Sequence, residues 1–230
     1  MTVDITERKQ AEERQNLLAR EVDHRAKNAL ALAQSIVRLT RGENVKSYIR
    51  SVEGRITALA RVHTVLSLSS WQGAEIGKLI DEELAPYSTG DQIELRGAEV
   101  QLQPATAQTV ALALHELVTN SAKYGALSTL AGRLSVSWEL ASGLLCIVWV
   151  ETGGPAVEIP ASRGFGTRSV IASIESQLGG KAEFDWRPEG LVCRLSVPLS
   201  SRQVAPDPAP PREAVTEESG SRRVGKLARP

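Results

Sequence analysis

From about Thr6 to Arg41 the chain contains neither glycine nor proline and is rich in Ala, Leu, Glu, Gln and Arg, so this stretch is expected to run as one long helix. Its apolar residues fall at Leu18, Val22, Ala26, Ala29, Ala33 and Val37, a narrow stripe on one side. Gly42 breaks the pattern, and a second stripe follows at Val45, Ile49, Val52, Ile56, Leu59, His63 and Leu66. Two antiparallel helices joined by a short turn are the expected result. One hairpin covers such seams poorly, which predicts a homodimer in which two hairpins complete a four-helix bundle.

After Trp71-Gln72-Gly73 the periodicity changes. A helix is expected near Ile76 to Leu84, short strands near Ile93 to Arg96 and Val100 to Gln103, then a helix from Pro104 to Tyr124 with proline in its first turn. Leu134 to Leu140 and Leu144 to Glu151 read as a hairpin across Ala141-Ser142-Gly143. Lys181 to Trp186 and Leu191 to Pro198 read as a second hairpin across Pro188-Glu189-Gly190. A glycine-rich loop and a helix near Thr167 to Leu178 separate them. This is an α+β chain: a helical hairpin, then a sandwich of helices on a mixed sheet. From Ser201 onward Pro, Glu, Arg, Ser and Ala dominate, too few apolar groups to offset the entropy of ordering, so the tail is expected to be disordered.

Composition excludes several classes. Lys+Arg and Asp+Glu each total 27, a formal net charge of zero, so no basic field invites nucleic acid or an anionic membrane. No apolar run approaches the roughly 20 residues that span a bilayer, and Met1-Thr2-Val3-Asp4 is not a signal-peptide core. Cys146 and Cys193 each sit inside a strand-like apolar run, as buried thiols of a cytoplasmic protein do.

The chemistry concentrates on two helices. In His115-Glu116-Leu117-Val118-Thr119-Asn120-Ser121-Ala122-Lys123-Tyr124-Gly125, Glu116, Asn120 and Lys123 stand at i, i+4 and i+7, nearly opposite Val110, Leu114, Leu117 and Ser121. Such a face suits a metal-bound polyphosphate: Asn ligates Mg²⁺ through its carbonyl, Glu holds metal or water, and Lys counters phosphate charge. On the first helix, Asp23-His24-Arg25-Ala26-Lys27-Asn28 puts His24 about 160° from the apolar stripe at 100° per residue, facing solvent beside Asp23. A carboxylate that holds one imidazole proton leaves the other nitrogen free to attack. Glu151-Thr152-Gly153-Gly154-Pro155 leaves a strand directly into a loop, and Gly164-Phe165-Gly166-Thr167 opens a helix with backbone amides that suit phosphate. His63, on the apolar seam, and the four tryptophans read as packing residues.

The order of these motifs resembles a sensor histidine kinase: a dimerisation and phosphoacceptor hairpin followed by an ATP-binding domain of the GHKL type. The details are most similar to the HWE subfamily, in His115-Glu116 on the Asn-bearing helix, Trp149-Val150-Glu151 before the glycines, Asp-His-Arg-Ala-Lys-Asn as the phosphoacceptor box and Lys-Tyr-Gly-Ala-Leu-Ser after the Asn helix. The resemblance covers roughly Glu21 to Leu199. It implies a signalling helix or end of a PAS linker over 1–20, a dimerisation and phosphotransfer hairpin over 21–72, a catalytic domain over 73–200 and a tail over 201–230. The PAS-type sensor would lie outside this chain.

The resemblance also implies site roles. His24 would be the phosphoacceptor and Asp23 its acid/base neighbour, with Asn120 ligating Mg²⁺ and Glu116 supporting metal or water. Lys123 would contact phosphate. Glu151 would accept from the adenine amino group, Gly153 would let backbone approach the base, and Gly164 and Gly166 would flank a short lid over Thr152 to Arg163. His115 would hold a positioning or nucleotide-proximal role. The implied reaction in this two-component system is autophosphorylation of His24 from Mg-ATP, then transfer to an Asp of a response regulator. Two other functions fit the same scaffold: a non-catalytic dimeric ATP-binding adaptor, and a GHKL-type ATPase or serine/threonine kinase.

Overall fold

The structure, a computed structural model, describes residues 5–42, 44–87, 90–156 and 164–199. The expected tail, the first four residues and most of the lid lie outside the described residues.

Helix α1, Ile5–Leu39, and helix α2, Val45–Leu68, form the hairpin. The turn is closed by a capping box in which the Asn44 side chain accepts from the Ser47 N–H at 2.9 Å while the Asn44 N–H donates to the Ser47 hydroxyl at 3.2 Å. Tyr48 Oη donates to the Val37 carbonyl at 2.9 Å, tying the two helices beside the turn. The buried faces differ from the expected stripes. On α1, Ile36 is buried and Leu32 half-buried, whereas Val22, Leu30 and Val37 are exposed. On α2, Arg55, Ala58, Leu59, Val62 and Leu66 are buried, but Val45, Ile49 and Ile56 face outward. The apolar surface of α2 therefore has two arcs, roughly 90° apart around the helix axis. One packs inward on the following helices and the other is exposed.

Ser70 and Trp71 both take the left-handed conformation, with φ 52° and 62°, and end α2. Trp71 turns back onto the helix, its ring 4.9 Å from that of His63 and edge-on at 86°. His63 is half-buried and burial lowers its pKa, as fits a packed rather than reactive imidazole.

The rest is a five-stranded mixed sheet in the order β2-β4-β5-β7-β6, built from β2, Ile93–Gly97; β4, Arg133–Ala141; β5, Leu144–Thr152; β6, Lys181–Arg187; and β7, Gly190–Pro198. Only β2 and β4 are parallel. A two-residue strand β1, Ala74–Glu75, too short to carry a sequence pattern, pairs with β3, Gln101–Leu102. The helices are α3, Ile76–Leu84; α4, Pro104–Tyr124; and α5, Phe165–Ile171. The segment expected as one helix to Leu178 changes at Ala172 into a π-helix, Ala172–Gln177. Alternation in the strands sends Leu134, Val136, Leu145, Ile147, Trp149, Cys193, Leu195 and Val197 to one face. There they form one buried cluster with Val110, Leu114 and Leu117 of α4 and Leu79 and Ile80 of α3. Burial pushes the Cys193 thiol up to about 12, so this cysteine is a packing group and not a nucleophile.

Candidate functional site

Helix α4 organises the site because one side is apolar and buried under the sheet while Glu116, Asn120 and Lys123 stand on another. Asn120 is half-buried and Lys123 exposed in the last turn. Gly166, at the start of α5, packs directly over the first two. A Cβ at that position would sit 2.9 Å from Glu116 Oε2 and 3.0 Å from Asn120 Nδ2, closer than side chains normally approach. Only glycine lets the Gly164-Phe165-Gly166 backbone lie this close to the carboxylate and amide. Gly164 itself is exposed and caps α5.

A second cluster lies at the C-terminal end of α4. Glu151, on β5, is 4% exposed. Its Oε2 accepts from the Ala126 N–H at 2.8 Å, and its Oε1 accepts from the Trp149 indole N–H at 2.8 Å. Gly125 makes room for that carboxylate, since a Cβ there would lie 1.8 Å from Glu151 Oε2. Gly125→Ala is therefore expected to destabilise the fold by roughly 1–3 kcal/mol through overpacking, read as a shift in the urea midpoint. Gly153 follows at φ +68°, its carbonyl accepting from Thr129 Oγ1 at 3.1 Å. From Glu116 to Tyr124, the last residue of α4, the rise is about 12 Å at 1.5 Å per residue, and the Glu151 cluster lies just past that end, so a polyphosphate and a base could lie side by side along this stretch.

The hairpin reaches into the first cluster through a residue that the motifs did not single out. Arg55 of α2 is 5% exposed; its Nε donates to Glu116 Oε1 at 2.7 Å and its Nη1 to Thr40 Oγ1 at 2.8 Å. The guanidinium carbon lies 4.6 Å from the centre of the Phe165 ring. A charged residue on the same arc as Ala58, Leu59 and Val62 was the available signal.

His115 turns elsewhere. Its Nδ1 stands 3.1 Å from Glu83 Oε2, and Arg61 Nε and Nη2 donate to Glu83 at 3.1 and 2.6 Å, a bidentate pair. This triad joins α2, α3 and α4. Burial raises the pKa of the Glu83 carboxyl, but hydrogen bonds and charge from His115 and Arg61 outweigh it and hold the group below its ordinary value. The structure thus brings Glu116, Asn120 and Gly166 together and places His115 in a neighbouring structural junction.

His24 lies within α1, and its side chain is outside the described residues. Asp23 is exposed, its carboxylate 2.5 Å from Lys27 Nζ one turn on. Glu116 and Asn120 supply hard oxygen donors one helical turn apart, a pair that fits Mg²⁺ with its remaining positions filled by water and phosphate.

Residues 21–99 match the family model described as HWE histidine kinase. A blue-light-activated histidine kinase of Rhizobium johnstonii is 38% identical over 201 residues, which is 85% of this chain and 58% of that protein. One from Brucella anthropi is 34% identical over 209 residues, 87% of this chain and 43% of that protein. The chain therefore spans about half the length of these relatives. Among solved structures, the Erythrobacter litoralis EL346 blue-light activated histidine kinase is similar with a TM-score of 0.60 at 21% identity, over 78% of this chain and 58% of that one. The histidine kinase domain of the same protein gives a TM-score of 0.55 at 16% identity, over 78% of this chain and 96% of that one. On the family match and the similarity of these relatives over most of its length, the chain belongs to the HWE histidine kinase family.

Proposed function

We propose that the chain is the kinase portion of a two-component sensor, which autophosphorylates His24 from Mg-ATP and passes the phosphoryl group to an Asp of a response-regulator receiver. The observation that carries this reading is a pair of neighbouring clusters: Glu116 and Asn120 under Gly166 in the C-terminal half of α4, and Glu151 with Gly153 just past the end of that helix. In it, Asn120 and Glu116 hold the metal ion, Lys123 and the backbone at Gly164 and Gly166 face phosphate, and Glu151 and Gly153 face adenine. Mg²⁺, when bound, neutralises polyphosphate charge. His115 positions α4 through Glu83, and Asp23 orients the His24 imidazole. Residues 21–72 act as the phosphotransfer hairpin and 73–200 as the catalytic unit, in the cytoplasm; among the described residues no helix is long and apolar enough to cross a membrane.

The working form in this reading is a homodimer. Val22, Leu30 and Val37 of α1 and Val45, Ile49 and Ile56 of α2 are exposed in one chain, as the seams of a four-helix bundle would be. Leu30→Glu is expected to move the chain from dimer to monomer in sedimentation-velocity runs.

Geometry adds a requirement. His24 lies about 24 Å along α1 from Thr40 at 1.5 Å per residue, and the guanidinium bonded to Thr40 also holds Glu116. A phosphate seated near Glu116 is thus far from His24 of its own chain, and transfer requires the α4 face to leave Arg55. The test is incubation with γ-labelled ATP and an isolated receiver domain. Label should appear on the chain, disappear in His24→Gln and move to the receiver. Phosphate release without protein label would favour an ATPase, and binding without either would favour an adaptor.

A further inference from the structure

The Arg55 guanidinium is the described group whose partners leave the most unexplained. It is nine-tenths buried and carries a full charge, with two of its nitrogens spent on Glu116 and Thr40. Its third nitrogen, Nη2, is buried and has no hydrogen-bond partner among the described residues. An unmet donor on a buried cation is costly and marks a place where an anionic or polar atom belongs. The fork cannot easily turn to seek water. Glu116 and Thr40 fix two of its corners, and the Phe165 ring covers it at 4.6 Å. The group is thus a rigid donor held 2.7 Å from the carboxylate that, in the function proposed above, faces metal-bound polyphosphate.

We propose that Arg55 is a nucleotide-binding residue supplied by the hairpin, whose Nη2 donates to an oxygen of the terminal phosphate of ATP while its Nε remains on Glu116. This inference rests on the assignment of the Glu116 and Asn120 face to polyphosphate. The chemistry selects a triphosphate: ADP bound in the same register lacks the oxygen that Nη2 would reach. Because the Arg55 guanidinium is held beside Thr40, just past the end of α1 and far along that helix from His24, the contact belongs to loading of ATP and not to transfer. It makes the docked arrangement of hairpin and α4 sensitive to whether the third phosphate is present.

The experiment is equilibrium titration of the whole chain with Mg-ATP and, separately, Mg-ADP, for wild type, Arg55→Met, Arg55→Lys and Asn120→Ala. Arg55→Met keeps most of the side-chain volume without the charge, and Arg55→Lys keeps a charge beside Glu116 without the fork. The expected result is a loss of about tenfold or more in ATP affinity in both Arg55 variants, with ADP affinity within about twofold of wild type, the size expected for one charge-assisted hydrogen bond. If Arg55→Met does not fold, Arg55→Lys decides the matter alone. Equal losses for ATP and ADP would overturn the proposal, because a merely structural role moves both. Unchanged ATP affinity would also overturn it, and tighter ATP binding would mean that the Arg55–Glu116 pair only closes the site. In each of those cases wild-type binding that is abolished by Asn120→Ala leaves the nucleotide site standing; absence of ATP binding in wild type would remove both.

Discussion

Asn120→Ala is expected to lower the affinity for Mg-ATP and the rate of self-labelling by roughly a hundredfold or more, while the fold survives. Asn120 is half-buried under Gly166, and replacement by Ala removes the amide oxygen without opening a large apolar cavity. In the function proposed, Asn120 would touch the metal itself, and losing a direct ligand costs more than losing the groups behind the ligands, whose removal costs about 10–100-fold. Its neighbour Glu116 cannot substitute, since one of its oxygens is engaged by Arg55 at 2.7 Å. Isothermal titration with Mg-ATP and an unfolding curve in the same buffer check both halves: lost binding with an unchanged denaturation midpoint. Binding within about threefold of wild type would remove Asn120 from the metal site.

Glu83→Ala is expected to cost about 3 kcal/mol, a drop of roughly 10 °C in melting temperature. Glu83 is 3% exposed, and its removal leaves Arg61 and His115 facing each other without an anion between α2, α3 and α4. Glu83→Gln keeps the shape and one acceptor and should cost less. The sign of the pH dependence follows from the lowered pKa. Glu83 stabilises the fold fully above the ordinary value of 4.5, and this contribution is lost as pH falls below 4.5 through the lower folded value. The stability gap between wild type and Glu83→Gln should therefore be flat at neutral pH and shrink in acid. Parallel melts from neutral pH downward measure it; a gap that widens in acid would contradict the assigned direction.

Much of this architecture was legible because its punctuation is chemical. Pro104 and Gly125 bracket α4, Gly143 sits in one hairpin turn and Gly190 opens the strand after the other, so those elements appear within a residue or two of their expected limits. Gly166 and Glu116 belonged to motifs whose residue types announced the site. The faces of the hairpin were less legible. The α2 sequence holds two overlapping apolar arcs, and only the arrival of α4 decides that Ala58, Leu59 and Val62 go inward while Ile49 and Ile56 stay out. Arg55 and Glu83 escaped notice for a related reason. Each is a charge on an otherwise apolar arc, and its partner, Glu116 or His115, comes from a distant part of the chain. His115 was legible as a motif residue, but periodicity could not say that its ring would meet α3. The π-helical continuation of α5 has no counterpart in the 3.6-residue pattern from which that helix was expected.

In the function proposed, the terminal phosphoryl group of ATP becomes bonded to His24. The most direct test is digestion of the ATP-treated chain at alkaline pH, where phosphohistidine survives, followed by fragment sequencing of the phosphopeptide. The expected result is phosphate on His24, stable to alkali and lost in acid. Phosphate on a serine or threonine, or on a histidine other than His24, would contradict it.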